Sequence, residues 1–209
     1  MHPWHHYVAL GDSFTQGVGD PVEGFARLGV VDRLAAALRQ SSPDLRFTNL
    51  AQHGLGVGEI REQQLEPALR LQSDLVSVVA GANDIMTGRF DVTRWEEEFR
   101  LMYEGLTQAG AAVISANIPE FAILRTFKEP LQARLRANIA RGNAVIERLA
   151  AQYGVILVDA WAISGRSDRE DWSADGVHLN SRGYFKFAQE TLKTLEQQTG
   201  FRIGDIEAP

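Results

Sequence analysis

The chain has 209 residues, of which 44% are hydrophobic and 23% charged, with a net charge of −6 and no cysteine. This size and composition predict one soluble globular domain. The lack of cysteine excludes disulfides, thiolate nucleophiles and cysteine metal sites. The acidic balance, with no basic block, argues against nucleic acid as a partner. The start of the chain lacks a signal-peptide pattern and no apolar run is long enough to span a membrane, so we expect a cytoplasmic protein.

Short apolar runs alternate with longer amphipathic segments along the chain. The short runs have the pattern of buried strands and lie at 7–10, 45–50, 75–80, 112–116 and 155–158. Apolar residues recur at helical spacing in the longer segments, at 28–38, 60–71, 95–106, 131–151 and 184–195. This alternation predicts a single-domain, three-layer α/β/α sandwich with a five-stranded parallel sheet. We assign residues 1–200 to the domain and 201–209 to a C-terminal tail.

Four clusters of polar residues and glycines fall where the predicted strands end or where the last helix begins. They are Gly11-Asp12-Ser13 after the first strand, His53-Gly54 after the second, Asn83-Asp84 after the third, and Asp175 with His178 before the final helix. Ligands of such sheets collect beyond the carboxyl ends of the strands. We therefore expect all four clusters at one edge of the sheet.

These residue types together suit acyl transfer. The Ser13 hydroxyl needs a neighbouring base to become a nucleophile, and neutral His178 is suited to that role. Asp175, three residues before His178, is placed to orient its ring. The backbone N–H groups of Ser13 and Gly54 and the side-chain amide of Asn83 are candidate donors to the oxyanion.

The same residues carry a resemblance to a known family. Ser13 in Gly-Asp-Ser, Gly54 five residues after Asn49, Asn83 before an aspartate, and the Asp175–His178 pair resemble the four blocks of the SGNH (GDSL) hydrolases. The blocks occur in family order and span most of the chain. The resemblance implies a flavodoxin-like fold, hydrolysis of carboxylic esters without a cofactor or metal, a Ser13–His178–Asp175 triad, and an oxyanion hole formed by Ser13, Gly54 and Asn83. One departure is Leu179, where many members have proline.

Each cluster taken alone also has a structural interpretation, such as a helix cap, a turn or a glycine with positive φ. A flavodoxin-like binding module without catalysis is one alternative, but it leaves Ser13, Asn83 and His178 unexplained. Acyl transfer to another acceptor and thioester hydrolysis stay open, because both use the same acyl-enzyme. The resemblance implies a small ester as the substrate, and an acetylated sugar, a short-chain ester, a lysophospholipid and a thioester all suit the site. The sequence does not reveal the oligomeric state.

Several other residues have no assigned chemistry. His53 is expected at the pocket wall or the surface, without a chemical role. The histidines at positions 2, 5 and 6 form only a loose cluster at a start of the chain that we expect to fray. Trp161 and Trp172 are candidates for either the site or the core, and the segment 119–130, which is rich in apolar residues, is a candidate flap over the site.

Overall fold

The computed structural model describes residues 2–207, and its centre is one sheet of five parallel strands. The strands are β1 (His6–Gly11), β2 (Arg46–Asn49), β3 (Leu75–Val79), β4 (Ala112–Ala116) and β5 (Ile156–Val158). Their spatial order is β2-β1-β3-β4-β5. This order is that of a flavodoxin-like doubly wound sheet, and the predicted strands are all present.

Helices cover both faces of the sheet. In chain order they are α1 (Ser13–Gln16), α2 (Val30–Ser41), α3 (Val57–Ile60), α4 (Glu66–Arg70), α5 (Ala82–Met86), α6 (Val92–Gln108), α7 (Leu131–Tyr153), α8 (Ala160–Gly165) and α9 (Ser181–Thr199). Helix α2 packs on α9 and helix α6 packs on α7, and these two pairs form the outer layers. The predicted three-layer α/β/α sandwich is confirmed.

The burial of each strand matches its position in the sheet. Every residue of β1 is buried, and β3 is buried over four of its five residues, because helices cover both faces of these strands. Strand β2 lies at the edge, and none of its residues is fully buried. The strands with continuous apolar runs therefore lie at the centre of the sheet, as expected for parallel strands.

The short helices are the elements that the periodicity did not predict. Helices α1, α5 and α8 have four to six residues each, too few for a 3.6-residue period to become visible. The predicted helix at 60–71 starts earlier, at Val57, and contains a π-helical turn (Arg61–Leu65) between α3 and α4. All three short helices directly follow a strand at the carboxyl edge of the sheet.

Both ends of the described chain pack onto the domain. His2 is buried and its Nε2 lies 2.9 Å from the Leu38 carbonyl oxygen, so the expectation of a frayed start is wrong. At the other end, Phe201 contacts Trp4 edge-on and Ile203 is buried. The rest of the predicted tail, at 208–209, lies outside the described residues, as does Met1. The domain boundary at residue 200 stays a prediction.

The order in which the chain adds strands to the sheet reverses between β1 and β3. From β1 the chain moves first to β2 on one side, and after β3 it continues to β4 and β5 on the other side. A crevice forms at such a switch point, beyond the carboxyl ends of the strands. Among residues 2–207, no helix is long and apolar enough to cross a membrane.

Candidate active site

Ser13 lies at the junction between β1 and α1. The Asp12 side chain caps α1 by accepting a hydrogen bond from the Phe14 N–H at 3.0 Å. Ser13 is the first residue of the helix, so its own N–H has no acceptor within the helix. The residue is only 6% exposed. The turn therefore holds the Ser13 backbone rigidly, with its N–H free to meet a ligand.

A buried glutamine fixes the end of β1 just before this turn. Gln64 Oε1 accepts from the Gly11 N–H at 2.8 Å, and Gln64 Nε2 donates to the Gly11 carbonyl at 2.9 Å. The side-chain amide thus pairs with the last residue of the strand much as a neighbouring strand would. Gln64 lies in the π-helical turn, a distortion that is frequent at functional sites.

Asp175 and His178 lie on the loop between α8 and α9. The Ser173 N–H donates to the His178 carbonyl at 2.8 Å, and Trp172 and Leu179 form an isolated antiparallel bridge. The loop is tied to the segment that follows α1, because Asp20 Oδ2 accepts from the Ala174 N–H at 2.7 Å. These bonds hold a segment that has no regular secondary structure of its own.

The turn within this loop depends on a glycine. Gly176 has a φ of +66°, and its carbonyl accepts from the Ile123 N–H at 2.9 Å. A Cβ at this position would lie 2.9 Å from the Ile123 nitrogen, which is too close for an unstrained contact. Only glycine fits both the conformation and the close approach of the two backbones.

The three residues predicted to act together form one line of hydrogen bonds. His178 Nε2 lies 2.8 Å from Ser13 Oγ, and His178 Nδ1 lies 2.7 Å from Asp175 Oδ2. With the proton on Nδ1, that nitrogen donates to the carboxylate and Nε2 accepts from the serine hydroxyl. This arrangement would draw the proton off Ser13 as its oxygen attacks a carbonyl carbon.

Asp175 is held in the form that this arrangement needs. Partial burial raises the pKa of its carboxyl group, but hydrogen bonds from the His178 side chain and from the N–H groups of Val177 and His178 outweigh that effect. The pKa of Asp175 is therefore below its usual value. The carboxylate is ionised at neutral pH, which is the form that would stabilise an imidazolium on His178.

Of the predicted oxyanion donors, Asn83 lies in the cavity beside Ser13, but its amide hydrogens already have acceptors. Asn83 Nδ2 donates to Asp12 Oδ2 at 3.1 Å and to the Leu55 carbonyl at 2.9 Å. Gly54 is exposed, with a φ of +82°, and its N–H has no acceptor within residues 2–207. An oxyanion in this cavity would have to share an N–H of Asn83 with these acceptors, whereas the Gly54 N–H is free of acceptors in the described part of the chain.

Asp12, which accepts a hydrogen bond from Asn83, has a shifted pKa. Burial raises the pKa of the Asp12 carboxyl to about 6, against the opposing effects of the Phe14 N–H and of nearby His178. Asp12 orients the Asn83 amide and caps α1 with the same carboxyl group.

Ser13, Asn83 and His178 line one cavity of about 180 Å³ at the carboxyl edge of the sheet. Its other walls are mostly apolar and come from α5, from the end of β4 and the segment after it, and from α9. They include Ala82, Met86, Ala116, Ile118, Phe121 and Phe187. Gly54 is not in the wall, but its neighbour His53 is. The His53 ring lies 6.2 Å from the His178 ring, centroid to centroid.

The remaining candidates separate into different places. Trp172 is buried against Phe121, and Trp161 is 39% exposed on a separate cleft, so neither lines the cavity with Ser13. Within the predicted flap, Phe121 lines the cavity while Leu124 packs in the core. Leu179 is buried and lines a smaller neighbouring chamber. Within residues 2–207, no group of three His, Asp or Glu side chains is placed to hold a metal ion.

Sequence reasoning missed Gln64 and Asp20 and gave Asp12 no role of its own. The sequence pattern could have indicated Gln64, because this residue lies four positions from both Ile60 and Ala68 on the same apolar face. A polar side chain at such a position needs a buried partner. No such pattern indicates Asp20, since it lies in an irregular segment and reaches a loop that is distant in sequence.

Comparison with known proteins identifies the family of this chain. The profile of the GDSL-like Lipase/Acylhydrolase family matches residues 9–185. The spore germination lipase LipC of Bacillus licheniformis is 23% identical to this chain, and the match covers 85% of this chain and 90% of the relative.

Solved structures share the fold. TesA superposes with a TM-score of 0.74 at 20% identity, covering 92% of this chain and 99% of TesA. A lipase/acylhydrolase from Enterococcus faecalis gives 0.72 at 20% identity, with coverage of 96% and 99%. An acetyl xylan esterase from Geobacillus stearothermophilus gives 0.70 at 18% identity, with coverage of 96% and 97%.

Proposed function

Because this chain belongs to the GDSL-like lipase/acylhydrolase family and is an ester hydrolase, we propose that it cleaves carboxylic esters through an acyl-enzyme on Ser13. His178 is the general base and Asp175 orients it. The observation that carries the proposal is the unbroken line from Ser13 Oγ to His178 Nε2 and from His178 Nδ1 to Asp175 Oδ2, with contacts of 2.8 and 2.7 Å.

The proposed reaction has two halves. Ser13 Oγ attacks the ester carbonyl carbon while its proton passes to His178 Nε2. The tetrahedral oxyanion accepts hydrogen bonds from the Ser13 and Gly54 N–H groups and from Asn83. When the intermediate collapses, the C–O bond to the alcohol breaks and His178 returns the proton to the leaving oxygen. Water then attacks the acyl-enzyme with His178 again as base, releasing the acid and restoring Ser13.

Transfer of the acyl group to another acceptor and hydrolysis of thioesters remain alternatives, because both pass through the same acyl-enzyme. The side of the cavity at His178 supports water as the acceptor, since His53 there is exposed and Asp175 keeps half of its side chain in solvent. A cytoplasmic location remains a prediction.

The test is steady-state kinetics of Ser13→Ala on an activated ester. Losing the nucleophile of a triad lowers kcat by roughly 10⁶-fold, so turnover should fall to background. Ser41→Ala is the matched control, because the buried Ser41 Oγ has no hydrogen-bond partner within residues 2–207. Full activity in Ser13→Ala with normal folding would remove Ser13 as nucleophile.

Activity should also survive EDTA, whereas a requirement for added divalent metal would point to a different mechanism.

A further inference from the structure

The cavity beside Ser13 has two ends of opposite character. At one end His53 is exposed and His178 is half-buried, so this end opens to water. At the other end the walls are apolar and almost fully buried: Ala116 is 3% exposed, Ile118 2% and Phe121 4%. A substrate bound at Ser13 therefore has one side that meets solvent and one side that meets hydrocarbon.

The chemistry decides which part of an ester belongs at each end. The alcohol must leave and water must enter while the acyl group stays attached to Ser13. Exchange of alcohol for water is served by the open end, where His178 can protonate one and deprotonate the other. The acyl group has no need to move between the two halves of the reaction, so the closed apolar end suits it.

The size of the cavity limits the acyl group. A cavity of about 150 Å³ accommodates benzene, a group of six carbons, and this one measures about 180 Å³. A smaller chamber of about 30 Å³, room for roughly one water molecule, lies beyond it. The two spaces share the wall between them, which is formed by Phe14, Pro119, Phe121, Ala160, Val177 and Phe187.

The small chamber does not suit a longer chain. Its far wall includes Asp171 and Lys186, whose side chains form an ion pair at 2.9 Å. Asp171 is already buried and hydrogen-bonded there, and at about 30 Å³ the chamber has no room for more than a water-sized group of a longer chain. Phe121 stands before this wall and packs edge-on against Trp172 at 6.3 Å between ring centroids, which fixes its position.

We propose that the apolar end is the acyl-binding subsite and that Phe121 sets its length, so that the enzyme prefers medium acyl chains of about six carbons over acetyl and over long-chain esters. This inference rests on the proposed function of Ser13 and names the substrate class of the same site. Preference for medium chains excludes acetylated sugars as the best substrates.

The first experiment is a series of p-nitrophenyl esters from acetyl to dodecanoyl, which vary only in the acyl group. Each methylene that leaves water for the cavity should raise kcat/KM by about fourfold at most, until the cavity is filled near hexanoyl. Beyond octanoyl, kcat/KM should stop rising or fall. A profile that is flat, or highest at acetyl, would overturn the proposal, as would a continued rise to dodecanoyl.

Two variants test the assignment from opposite directions. Phe121→Ala enlarges the closed end and should move the optimum at least two carbons towards longer chains. Ala116→Val narrows the cavity from the end of β4, where a β-branched residue suits the strand, and should lower kcat/KM for hexanoyl more than for acetyl. Phe25→Ala is the control, because Phe25 packs on Phe185 and lines neither space. Identical profiles for wild type and Ala116→Val would contradict the assignment even if Phe121→Ala fails to fold.

Two further measurements separate this inference from the proposed function. Labelling of Ser13 by a fluorophosphonate reports on the nucleophile alone. Normal labelling with a flat acyl profile would overturn the acyl subsite and leave the mechanism standing, whereas absence of labelling would overturn the mechanism. A second series of acetyl esters with lengthening alcohols should give a shallow profile. A steep rise there, with a flat acyl series, would assign the cavity to the alcohol and contradict the proposal.

Discussion

Ser13 is 6% exposed at the end of a central strand, whereas Asp175, which completes the same line of hydrogen bonds, has 49% of its side chain in solvent on an irregular loop. The two regions are held by different means. The sheet and the Gln64 amide fix the turn that carries Ser13. The loop that carries His178 is held by individual hydrogen bonds, including one from Ala174 to Asp20.

This difference predicts that changes on the two sides have different consequences. Bonds on the Ser13 side are buried and form part of the fold, so losing them lowers the free energy of unfolding. Bonds on the loop side are exposed and contribute little to stability. Losing them allows the base to move, and catalysis depends on the position of the base to within a fraction of an ångström.

The largest effect on the loop side is expected for Asp175→Asn. The amide keeps the shape of the side chain but favours the wrong tautomer of His178, which in serine proteases lowers kcat about 10⁴-fold. The unfolding free energy should change by about 0.5 kcal/mol or less, as for other exposed substitutions. Steady-state kinetics on an activated ester, combined with urea denaturation, measures both quantities. Unchanged kcat would remove Asp175 from the mechanism.

The next largest effect is expected on the sheet side, for Asn83→Ala. Removing one oxyanion donor lowers kcat about 10²- to 10³-fold in other serine hydrolases. The bond strengthens in the transition state, so kcat should fall more than KM rises. Circular dichroism serves as the folding control, and slow labelling at Ser13 should persist. If only KM rises, Asn83 serves to hold Asp12 and Leu55 and is not an oxyanion donor.

Gln64→Leu tests whether the Ser13 side is held by the fold. The substitution leaves the Gly11 N–H buried without its acceptor, which costs about 1–3 kcal/mol of stability. Urea denaturation should show this loss, and Gln63→Leu on the exposed neighbour should stay within about 0.5 kcal/mol of wild type. Equal stability of Gln64→Leu and Gln63→Leu would show that the amide does not support the strand end.

The smallest effect is expected for Asp20→Ala, which removes the acceptor of the hydrogen bond from the Ala174 N–H of the loop. The loss of one exposed hydrogen bond, about 0.5–1.5 kcal/mol, corresponds to a two- to tenfold fall in kcat/KM. Stability should stay close to wild type. Glu23→Ala, an exposed acid in the same segment, is the control and should leave kcat/KM unchanged. A loss of stability in Asp20→Ala without a fall in kcat/KM would contradict the claim that bonds on the loop side serve catalysis more than stability.

The same contrast separates what the sequence could predict from what it could not. The strands were predictable because buried parallel strands are continuous apolar runs, and their carboxyl ends indicated where Ser13 and Asn83 would lie. Asp175 and His178 were found by their spacing. Their approach to Ser13 depends on the bridge between Trp172 and Leu179 and on the bond to Asp20, which no local periodicity encodes.

The cavity was beyond the reach of sequence patterns for a related reason. Phe121 and Leu124 are three residues apart in one apolar segment, yet the first lines the cavity and the second packs in the core. The two side chains lie in different places because of the 3₁₀ turn that starts at Ala122 and the hydrogen bond from the Ile123 N–H to the Gly176 carbonyl. The positions of such side chains follow from tertiary packing.

The most direct test of the central claim is the site of reaction with a fluorophosphonate, located by mass spectrometry of proteolytic peptides. The nucleophilicity of Ser13 depends on His178, because the serine hydroxyl is weak until a base takes its proton. We predict a single adduct on the peptide that contains Ser13, its absence in Ser13→Ala, and much slower formation in His178→Ala. An adduct on another serine, or equally fast labelling of Ser13 without His178, would contradict the account.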